Sequence, residues 1–323
     1  MTTNNIQANK YFAESFLPLF LLILGIVTVS STAVFIKLAT QELTVQAILF
    51  DRLLISTIVF AMWNWGRQSW RSRKNSDEAI AVAAKENVTV EIFGWMILLV
   101  VVHLMGRVFF MWSMTQTTAV NGMMLSNMTP IFTFLGALIF LGQRFDRRFL
   151  MGLAIAVMGA IVLTLGDWLH PEEQLFGAMA IIGDGAALLS SLFYAIVILL
   201  IEKVRQRLST SNFLLWRSAI GVVLMAPVVW VLDDAIVPLS LTGWLSIIGL
   251  ALICGVIGHS LIVYSYEHFA APFLAIVFLL EPVPTAISAW LFLGEFLSIF
   301  NIMGFLLISV GIYLAKTGEG SKQ

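Results

Sequence analysis

Residues 125–145 read LSNMTPIFTFLGALIFLGQRF, and residues 277–297 read VFLLEPVPTAISAWLFLGEFL. An offset of 152 places equivalent residues on one another: Pro130 on Pro282, Gly142 on Gly294, and Arg107 on His259. Earlier in the chain an offset of 165 places Arg52 on Arg217. Similarity at a fixed spacing indicates an internal repeat, so the two halves of the chain are expected to share one architecture.

The composition places both halves in a membrane. Of the 323 residues, 59% are hydrophobic and 11% are charged, and the net charge is −1. Soluble domains carry roughly 25% charged residues, so this chain has too few polar residues to cover a water-facing surface. A soluble enzyme and a disordered chain are excluded, and the lack of basic excess argues against nucleic-acid binding. The long continuous apolar runs also disfavour a β-barrel, whose strands would alternate.

A membrane-spanning helix needs about 20 mostly apolar residues. Ten stretches meet this requirement: 16–37, 46–65, 92–114, 119–141, 149–166, 178–201, 213–232, 243–266, 271–293 and 298–315. We therefore expect an all-α polytopic membrane protein with ten transmembrane helices. Its predicted parts are a tail (1–15), a first five-helix repeat (16–166), an outer loop (167–177), a second five-helix repeat (178–315) and a second tail (316–323).

Basic residues predict the orientation, because Lys and Arg are enriched in cytoplasmic loops. With both termini in the cytoplasm, the predicted outer loops contain no Lys or Arg, and the inner side collects fourteen of the 18: Lys10, Arg67, Arg71, Arg73, Lys74, Lys85, Arg144, Arg147, Arg148, Lys203, Arg205, Arg207, Lys316 and Lys322. Five spans per half make the second half inverted, an architecture used by secondary transporters for alternating access. The expected location is the plasma (inner) membrane.

The chain also resembles the EamA-type branch of the drug/metabolite transporter superfamily over about residues 18–315. The resemblance rests on Pro130 through Gly142, on Glu281-Pro282 through Leu293-Gly294-Glu295, and on Gly183-Asp184 with Tyr194-Ala195. It implies two five-span repeats and transport of small metabolites, amino acids or drugs, often outward. One departure is Gly142-Gln143, where the family usually has Gly-Glu. Any role of that acid is therefore absent or altered here.

Charges inside the spans are the candidate functional residues, because a charge at the centre of a membrane helix costs about 2.5–3.5 kcal/mol. Glu281 lies near the middle of the ninth stretch and is followed by Pro282 and Pro284. Prolines remove backbone donors, so a helix break is predicted here and at Pro130, with the carbonyls of Phe278 and Leu280 exposed. Glu281 is then a substrate-binding or proton-coupling acid. The alternative is a structural acid paired with a base.

Further candidates follow from the same reasoning. His103 and Arg107 share one helix face, and His259 is the repeat mate of Arg107. These three are expected to bind a substrate carboxylate or to pair with Glu281; a fixed ion pair is the alternative. Tyrosines with a hydrogen-bonding tip are expected to line a cavity or to pack, and the candidates are Tyr194, Tyr264 and Tyr266, with Tyr264 assigned to the site.

Four charged residues near the helix ends have structural or functional interpretations. Arg52 and Arg217 are candidates for a gate near each mouth, or they reach the lipid headgroups. Asp51 is adjacent to Arg52 and is expected to pair with it. Asp184, between Gly183 and Gly185, is expected to cap the start of its helix.

Motifs for other functions are missing from the sequence. It has no His-Glu-x-x-His zinc motif, no Gly-x-Ser-x-Gly elbow and no nucleotide-binding loop. We predict a secondary transporter, an exporter rather than an importer, for a small zwitterionic, anionic or drug-like metabolite; the alternatives are a membrane-embedded enzyme and a passive channel or scaffold. The expected partners are the bilayer, the substrate and protons or another coupling ion, without cofactor, metal or nucleic acid. The chain is expected to be a monomer or a homodimer.

Overall fold

The computed structural model describes residues 17–72, 89–117, 119–168, 178–232, 236–293 and 299–318. Most of these residues are helical, and none of them forms a strand. The predicted tail at 1–15 lies outside the described residues, as do most of the predicted loop at 167–177 and most of the second tail at 316–323.

The helices follow the predicted apolar stretches. In chain order they are α1 (Leu17–Ala39), α2 (Val45–Ser72), α3 (Val90–Gln116), α4 (Ala119–Ser126), α5 (Thr129–Phe140), α6 (Arg147–Trp168), α7 (Ala178–Arg205), α8 (Thr210–Leu232), α9 (Leu241–Gly249), α10 (His259–Ser265), α11 (Ala271–Phe278), α12 (Pro282–Leu293) and α13 (Ile299–Thr317). Within the described ranges, eight helical stretches are long and apolar enough to cross a membrane. The other two predicted stretches are also helical: the fifth is α6, and the ninth is divided between α11 and α12.

The fourth and ninth predicted stretches are interrupted, and a proline lies in the first turn of the helix that follows each interruption. Pro130 is the second residue of α5, and Pro282 is the first residue of α12. The expectation of exposed carbonyls is wrong, because the Phe278 carbonyl accepts from Glu281 N (3.0 Å) and the Leu280 carbonyl accepts from Val283 N (2.9 Å). The chain closes tight turns through the break, and these turns use the oxygens that proline was expected to release.

The eighth stretch contains a π-helical segment, Leu250–Gly258, between α9 and α10. This segment and the last residue of α9, Gly249, lie close against α1 because their glycines have no side chain. A Cβ on Gly249 would lie 2.6 Å from the ring of Phe35, and one on Gly258 would lie 2.8 Å from Val29 Cγ2. π-Helical turns are rare and often occur at functional sites. His259 directly follows this segment and is therefore a candidate functional residue.

The chain divides into two compact units. The first unit contains Met1–Phe93 and Val204–His268, and the second contains Gly94–Lys203 and Phe269–Gln323. Each unit therefore combines helices from both halves of the sequence.

In the second unit, α6 and α13 pack closely along a row of glycines. A Cβ on Gly152 would lie 2.6 Å from the Gly311 carbonyl oxygen, and one on Gly159 would lie 2.9 Å from that of Gly304. Residue numbers rise along α6 as they fall along α13, so the two helices are antiparallel. Because these glycines have no side chain, the two helices can approach closely.

In the first unit, α2 and α8 also pack antiparallel. Leu53 lies opposite Gly221, where a Cβ would come within 3.0 Å of the leucine. Towards the other end of the pair, Asn64 Nδ2 donates to Asn212 Oδ1 at 2.8 Å. The starts of α2 and α8 therefore lie at opposite ends of this helix pair.

The start of α9 is capped by a carboxylate from the turn after α1. Glu42 Oε2 accepts from the backbone N–H groups of Leu239 (2.9 Å) and Ser240 (3.0 Å), and Oε1 accepts from the Ser240 hydroxyl. Ser240 Oγ in turn accepts from Gly243 N at 3.0 Å. These donors include amides that a helix start leaves unpaired, so Glu42 fastens the α1–α2 turn to α9.

We expect this cap to make the stability of the protein depend on pH in the acidic range. The hydrogen bonds from Ser240 and Leu239 lower the pKa of Glu42 below its ordinary value of 4.5. A lowered folded-state pKa contributes stability above the unfolded value and loses it as pH falls through the folded value. Glu42→Gln should therefore melt below the parent at neutral pH, and the two melting curves should converge in acid below about pH 4.5.

The control for this prediction is Glu91→Gln. Glu91 pairs with Arg207 at 3.1 Å, and both side chains are 59% exposed, so that ion pair contributes little. Parallel melting curves for the parent and Glu42→Gln at every pH would contradict the cap.

Candidate functional site

Helices α3 and α7 of the second unit form the scaffold of the candidate site. Ser190 Oγ donates to the Gly106 carbonyl at 2.9 Å, and Ser190 is fully buried. Gly106 has no side chain, so the ring of Tyr194 lies 3.4 Å from where its Cβ would be. This contact places Tyr194 beside the turn of α3 that carries Arg107.

Asp184 also joins α3 and α7, and its expected role as a helix cap is wrong. Helix α7 already begins at Ala178, so Asp184 lies inside the helix. Its Oδ1 accepts from the Thr117 hydroxyl at 2.6 Å. The pair Gly183-Gly185 suggested a helix start, but apolar residues before it extend the helix by more than a turn.

Four polar side chains lie in one region of the second unit. The ring of His103 lies 5.8 Å from that of Tyr194 at an interplanar angle of 73°. Arg107 follows His103 by one helical turn on the same face of α3. Both Arg107 and Glu281 lie close enough for their charges to act on Tyr194. His103, Arg107 and Tyr194 are each partly buried, and Glu281 is exposed.

Glu281 owes its position to the interruption between α11 and α12. It belongs to neither helix and lies in the turn that follows Phe278. Helix α11 before it is almost wholly buried, with Phe273, Leu274 and Ile276 fully covered. The buried helix anchors the turn, and the turn presents one acid from inside an otherwise apolar stretch.

The chemistry of this cluster suits a small molecule with two opposite charges. A guanidinium binds a carboxylate through a planar fork of donors, and a carboxylate binds an ammonium. The phenol of Tyr194 both donates and accepts, and its ring offers an apolar face. Within the described ranges, no three His, Cys, Asp or Glu side chains come together as metal ligands.

The first unit holds the other predicted basic residues. Arg52 Nη2 lies 3.4 Å from His259 Nδ1, and the same ring nitrogen lies 2.7 Å from the Cys254 carbonyl. A carbonyl oxygen only accepts hydrogen bonds, so Nδ1 of His259 carries a hydrogen and donates it to the Cys254 carbonyl. The π-helical segment thus fixes the orientation of this imidazole.

Two further predicted site residues lie elsewhere in the first unit. The ring of Tyr264 stacks on His268 with 4.7 Å between ring centres, near the end of α10. Arg217 lies in α8, partly buried. Of the three tyrosines considered from the sequence, Tyr194 joins the charged cluster, whereas Tyr266 is 1% exposed and packs in the core. The sequence analysis assigned Tyr264 rather than Tyr194 to the site.

Asp51 does not pair with Arg52 as expected. Adjacent residues on a helix point about 100° apart, and Arg52 reaches across to His259. Asp51 Oδ2 is buried and has no hydrogen-bond partner among the described residues.

Gln143, where the family usually has Glu, binds a buried acid. Gly142 ends α5 with a φ of 64°, a conformation that favours glycine. The turn brings Gln143 Nε2 to Glu202 Oε1 at 3.1 Å, and Glu202 Oε2 accepts from Ala271 N at 3.1 Å. Glu202 is 3% exposed, so the carboxylate links α5 and α7 to the start of α11.

We expect Gln143→Glu to destabilise the protein at neutral pH. The change replaces a donor by a second carboxylate at hydrogen-bond distance from Glu202, and two such groups cannot both stay ionised. Gln143→Ala is the control, because it removes the donor without adding charge and costs about 1–3 kcal/mol. Thermal unfolding should show a larger loss for the glutamate variant, relieved as pH falls. Equal losses at all pH values would contradict the contact.

One structural interaction had no signal in the sequence. Arg205, assigned to the basic inner side, is 4% exposed and donates to Glu267 and to the carbonyls of Leu208 and Val263. A basic residue at the end of an apolar helix is typical of a solvated loop, so neither its burial nor its partner was predictable.

Comparison with known proteins connects this chain to membrane transport. A family model described as the EamA-like transporter family matches residues 16–165 and residues 181–317. The pseudopaline exporter CntI of Pseudomonas aeruginosa is 26% identical over 230 residues, which cover 69% of this chain and 76% of that protein. An uncharacterized transporter of Archaeoglobus fulgidus is 21% identical over 93% of this chain and 97% of its own length.

A solved crystal structure has the same fold. It superposes with a TM-score of 0.68 at 12% sequence identity and covers 92% of this chain and 96% of the other.

Proposed function

Because this chain belongs to the EamA-like transporter family, we propose that it is a secondary transporter that exports a small zwitterionic metabolite by alternating access. Membership of the family and the membrane-spanning helices make it a multi-pass membrane transporter. The relatives are transporters too, which agrees with a role other than an enzyme. The export direction takes its support from the relative named as a pseudopaline exporter.

The observation that carries the substrate class is the cluster in the second unit. Arg107 and Glu281 bring opposite charges near one aromatic residue, Tyr194, with His103 beside its ring. Charges inside membrane helices are costly and are retained where they bind substrate or ions. In the proposed pose, Arg107 takes the carboxylate, Glu281 takes the ammonium, and Tyr194 covers the apolar part.

The proposed architecture is ten spans in two inverted repeats of five. Contacts in the two units support it, because they fall at equivalent positions. The offsets of 165 and 152 relate Ser190 and Gly106, in contact in the second unit, to Gly25 and Gly258 in the first. A Cβ on Gly25 would lie 3.1 Å from the Gly258 carbonyl, so this second pair is also in close contact. The double match of the family model gives independent support.

The glycine contacts between α6 and α13 have the same symmetry. The offset of 152 exchanges Gly152 with Gly304 and Gly159 with Gly311, so the contact of Gly152 with Gly311 maps onto that of Gly159 with Gly304. Equivalent helices that meet antiparallel at equivalent residues are expected at a two-fold axis between inverted repeats.

The remaining parts of the proposal concern membership of the site and orientation. His259 and Arg52 form a second polar position in the first unit, and Arg52 and Arg217 are proposed gates. Both termini are placed in the cytoplasm of the plasma (inner) membrane, on the basis of the Lys and Arg distribution. The oligomeric state is proposed to be a monomer or a homodimer.

Counterflow in liposomes tests the proposed function. Proteoliposomes loaded with unlabelled leucine should accumulate labelled leucine from outside, and leucinamide and 4-methylpentanoate, each lacking one of the two charges, should compete poorly. Protein-free liposomes are the control. If neither leucine nor any zwitterion from a metabolite library produces counterflow or raises the melting temperature, the proposal is wrong.

A further inference from the structure

Asp51 is an acid inside a membrane-spanning helix that the proposed substrate site does not use. It lies six residues after Val45, the first residue of α2, which places it about 9 Å along the helix. The stretch Val45–Ser69 is long and apolar enough to span the membrane. Asp51 is therefore at least one turn inside the apolar layer.

The neighbours of Asp51 on its own face of α2 are apolar. Ile48 and Ile55, three residues before and four after, share its face of α2. Ile48 is fully buried in a hydrophobic cluster with Leu250 and Cys254 of the π-helical segment, and Ile55 packs against the same cluster. The carboxyl oxygen Oδ2 is buried and makes no hydrogen bond within the described part of the chain.

Charged or titratable side chains are few on the parts of the first unit that pack against this region of α2. They are Arg52 on α2 itself, Lys37 on α1, Arg217 on α8, Cys254 in the π-helical segment and His259 on α10. Arg52 lies 3.4 Å from His259, the Cys254 thiol donates to the Thr28 carbonyl at 3.2 Å, and Lys37 is exposed. Within the described residues, no ion pair is formed between Asp51 and any of these groups.

An ionised carboxylate at this position is expensive, because neither a cation nor a hydrogen-bond donor replaces the hydration of its buried oxygen Oδ2. A neutral carboxylic acid costs much less. We propose that Asp51 is a proton-binding site: it takes a proton from water in one conformation, holds it as a buried acid, and returns it to water in another. This proposal rests on the proposed transport function, and it makes the proton the coupling ion.

Infrared spectroscopy tests the site without any substrate. In protein labelled with ¹³C-aspartate and reconstituted in liposomes at neutral pH, we expect a protonated-carboxyl C=O band that carries the isotope shift. The band should be lost in Asp51→Asn and kept in Asp184→Asn, which removes an acid that is bonded to Thr117 and leaves Asp51 in place. A labelled parent without this band overturns the proposal, whether or not the variants fold.

A pH-sensitive dye inside the liposomes tests coupling. Leucine movement should carry protons in the parent, whereas Asp51→Asn should keep leucine counterflow and lose the accompanying pH change. Proton movement that persists in Asp51→Asn contradicts the assignment. If the parent shows the infrared band but no leucine movement, the proposed substrate fails and the proton site stands.

Discussion

Gly152→Ala is expected to destabilise the protein by about 3 kcal/mol, at the upper end of what overpacking usually costs. The added methyl group would lie 2.6 Å from the Gly311 carbonyl oxygen and against the backbone nitrogen of Ala315. Backbone atoms of a packed helix cannot rotate away as a flexible side chain does, so α6 and α13 must separate. Gly152→Val adds two more methyl groups and should leave no stably folded protein.

The matched control is Gly94→Ala in α3, where no heavy atom lies within 4 Å of the added Cβ. Alanine there should leave stability unchanged or raise it by about 0.5–1 kcal/mol, because it favours the helix. Thermal unfolding in detergent, followed by tryptophan fluorescence, measures both variants. If Gly152→Ala melts at the same temperature as the parent, the close contact of α6 and α13 is wrong.

Arg107→Gln and Glu281→Gln are each expected to weaken leucine transport at least about tenfold, because loss of a hydrogen bond to a charged group of the substrate costs about 1.5–3 kcal/mol. The effect should depend on which charge the ligand carries. Arg107→Gln should no longer distinguish leucine from leucinamide, since it has lost the partner of the carboxylate. Glu281→Gln should no longer distinguish leucine from 4-methylpentanoate, since it has lost the partner of the ammonium.

Competition in the counterflow assay measures both pairs of ligands. Arg107→Lys and Glu281→Asp, which keep the charges, are the matched variants and should retain the discrimination that the glutamine variants lose. Arg144→Gln removes an exposed cation and is expected to behave as the parent. If both glutamine variants lose affinity equally for all three ligands, the two residues support the structure and do not bind the opposite ends of the substrate.

Much of the site could be predicted from charge placement. Arg107, His103 and Glu281 interrupt apolar stretches, and such residues need a reason to be in a membrane. Tyr194 was harder to distinguish from Tyr264, because an amphipathic ring suits a cavity and a packed core equally well. The contact between Tyr194 and Gly106 of α3 places Tyr194 in the candidate cluster. Neither segment by itself predicts that contact.

The partners that we predicted for two acids from their sequence neighbours were also wrong. Asp51 and Arg52 are adjacent in the chain, yet Arg52 contacts His259, which is far away in sequence. Asp184 looked like a helix cap and instead binds Thr117. In each case a helix turns neighbouring side chains in different directions, so the partner comes from another helix.

The sequence by itself determined that this protein is helical, lies in a membrane and repeats itself, because hydrophobic length and repeat spacing are properties of the chain. Only the tertiary structure decided how the helices are sorted: each compact unit takes helices from both halves of the sequence. It also decided that Glu281 lies in a closed turn, that Gln143 binds Glu202, and that Asp51 has a buried carboxyl oxygen without a hydrogen-bond partner among the described residues. The physical reason is that such contacts depend on where glycines allow two helices to approach, and a single helix does not contain that information.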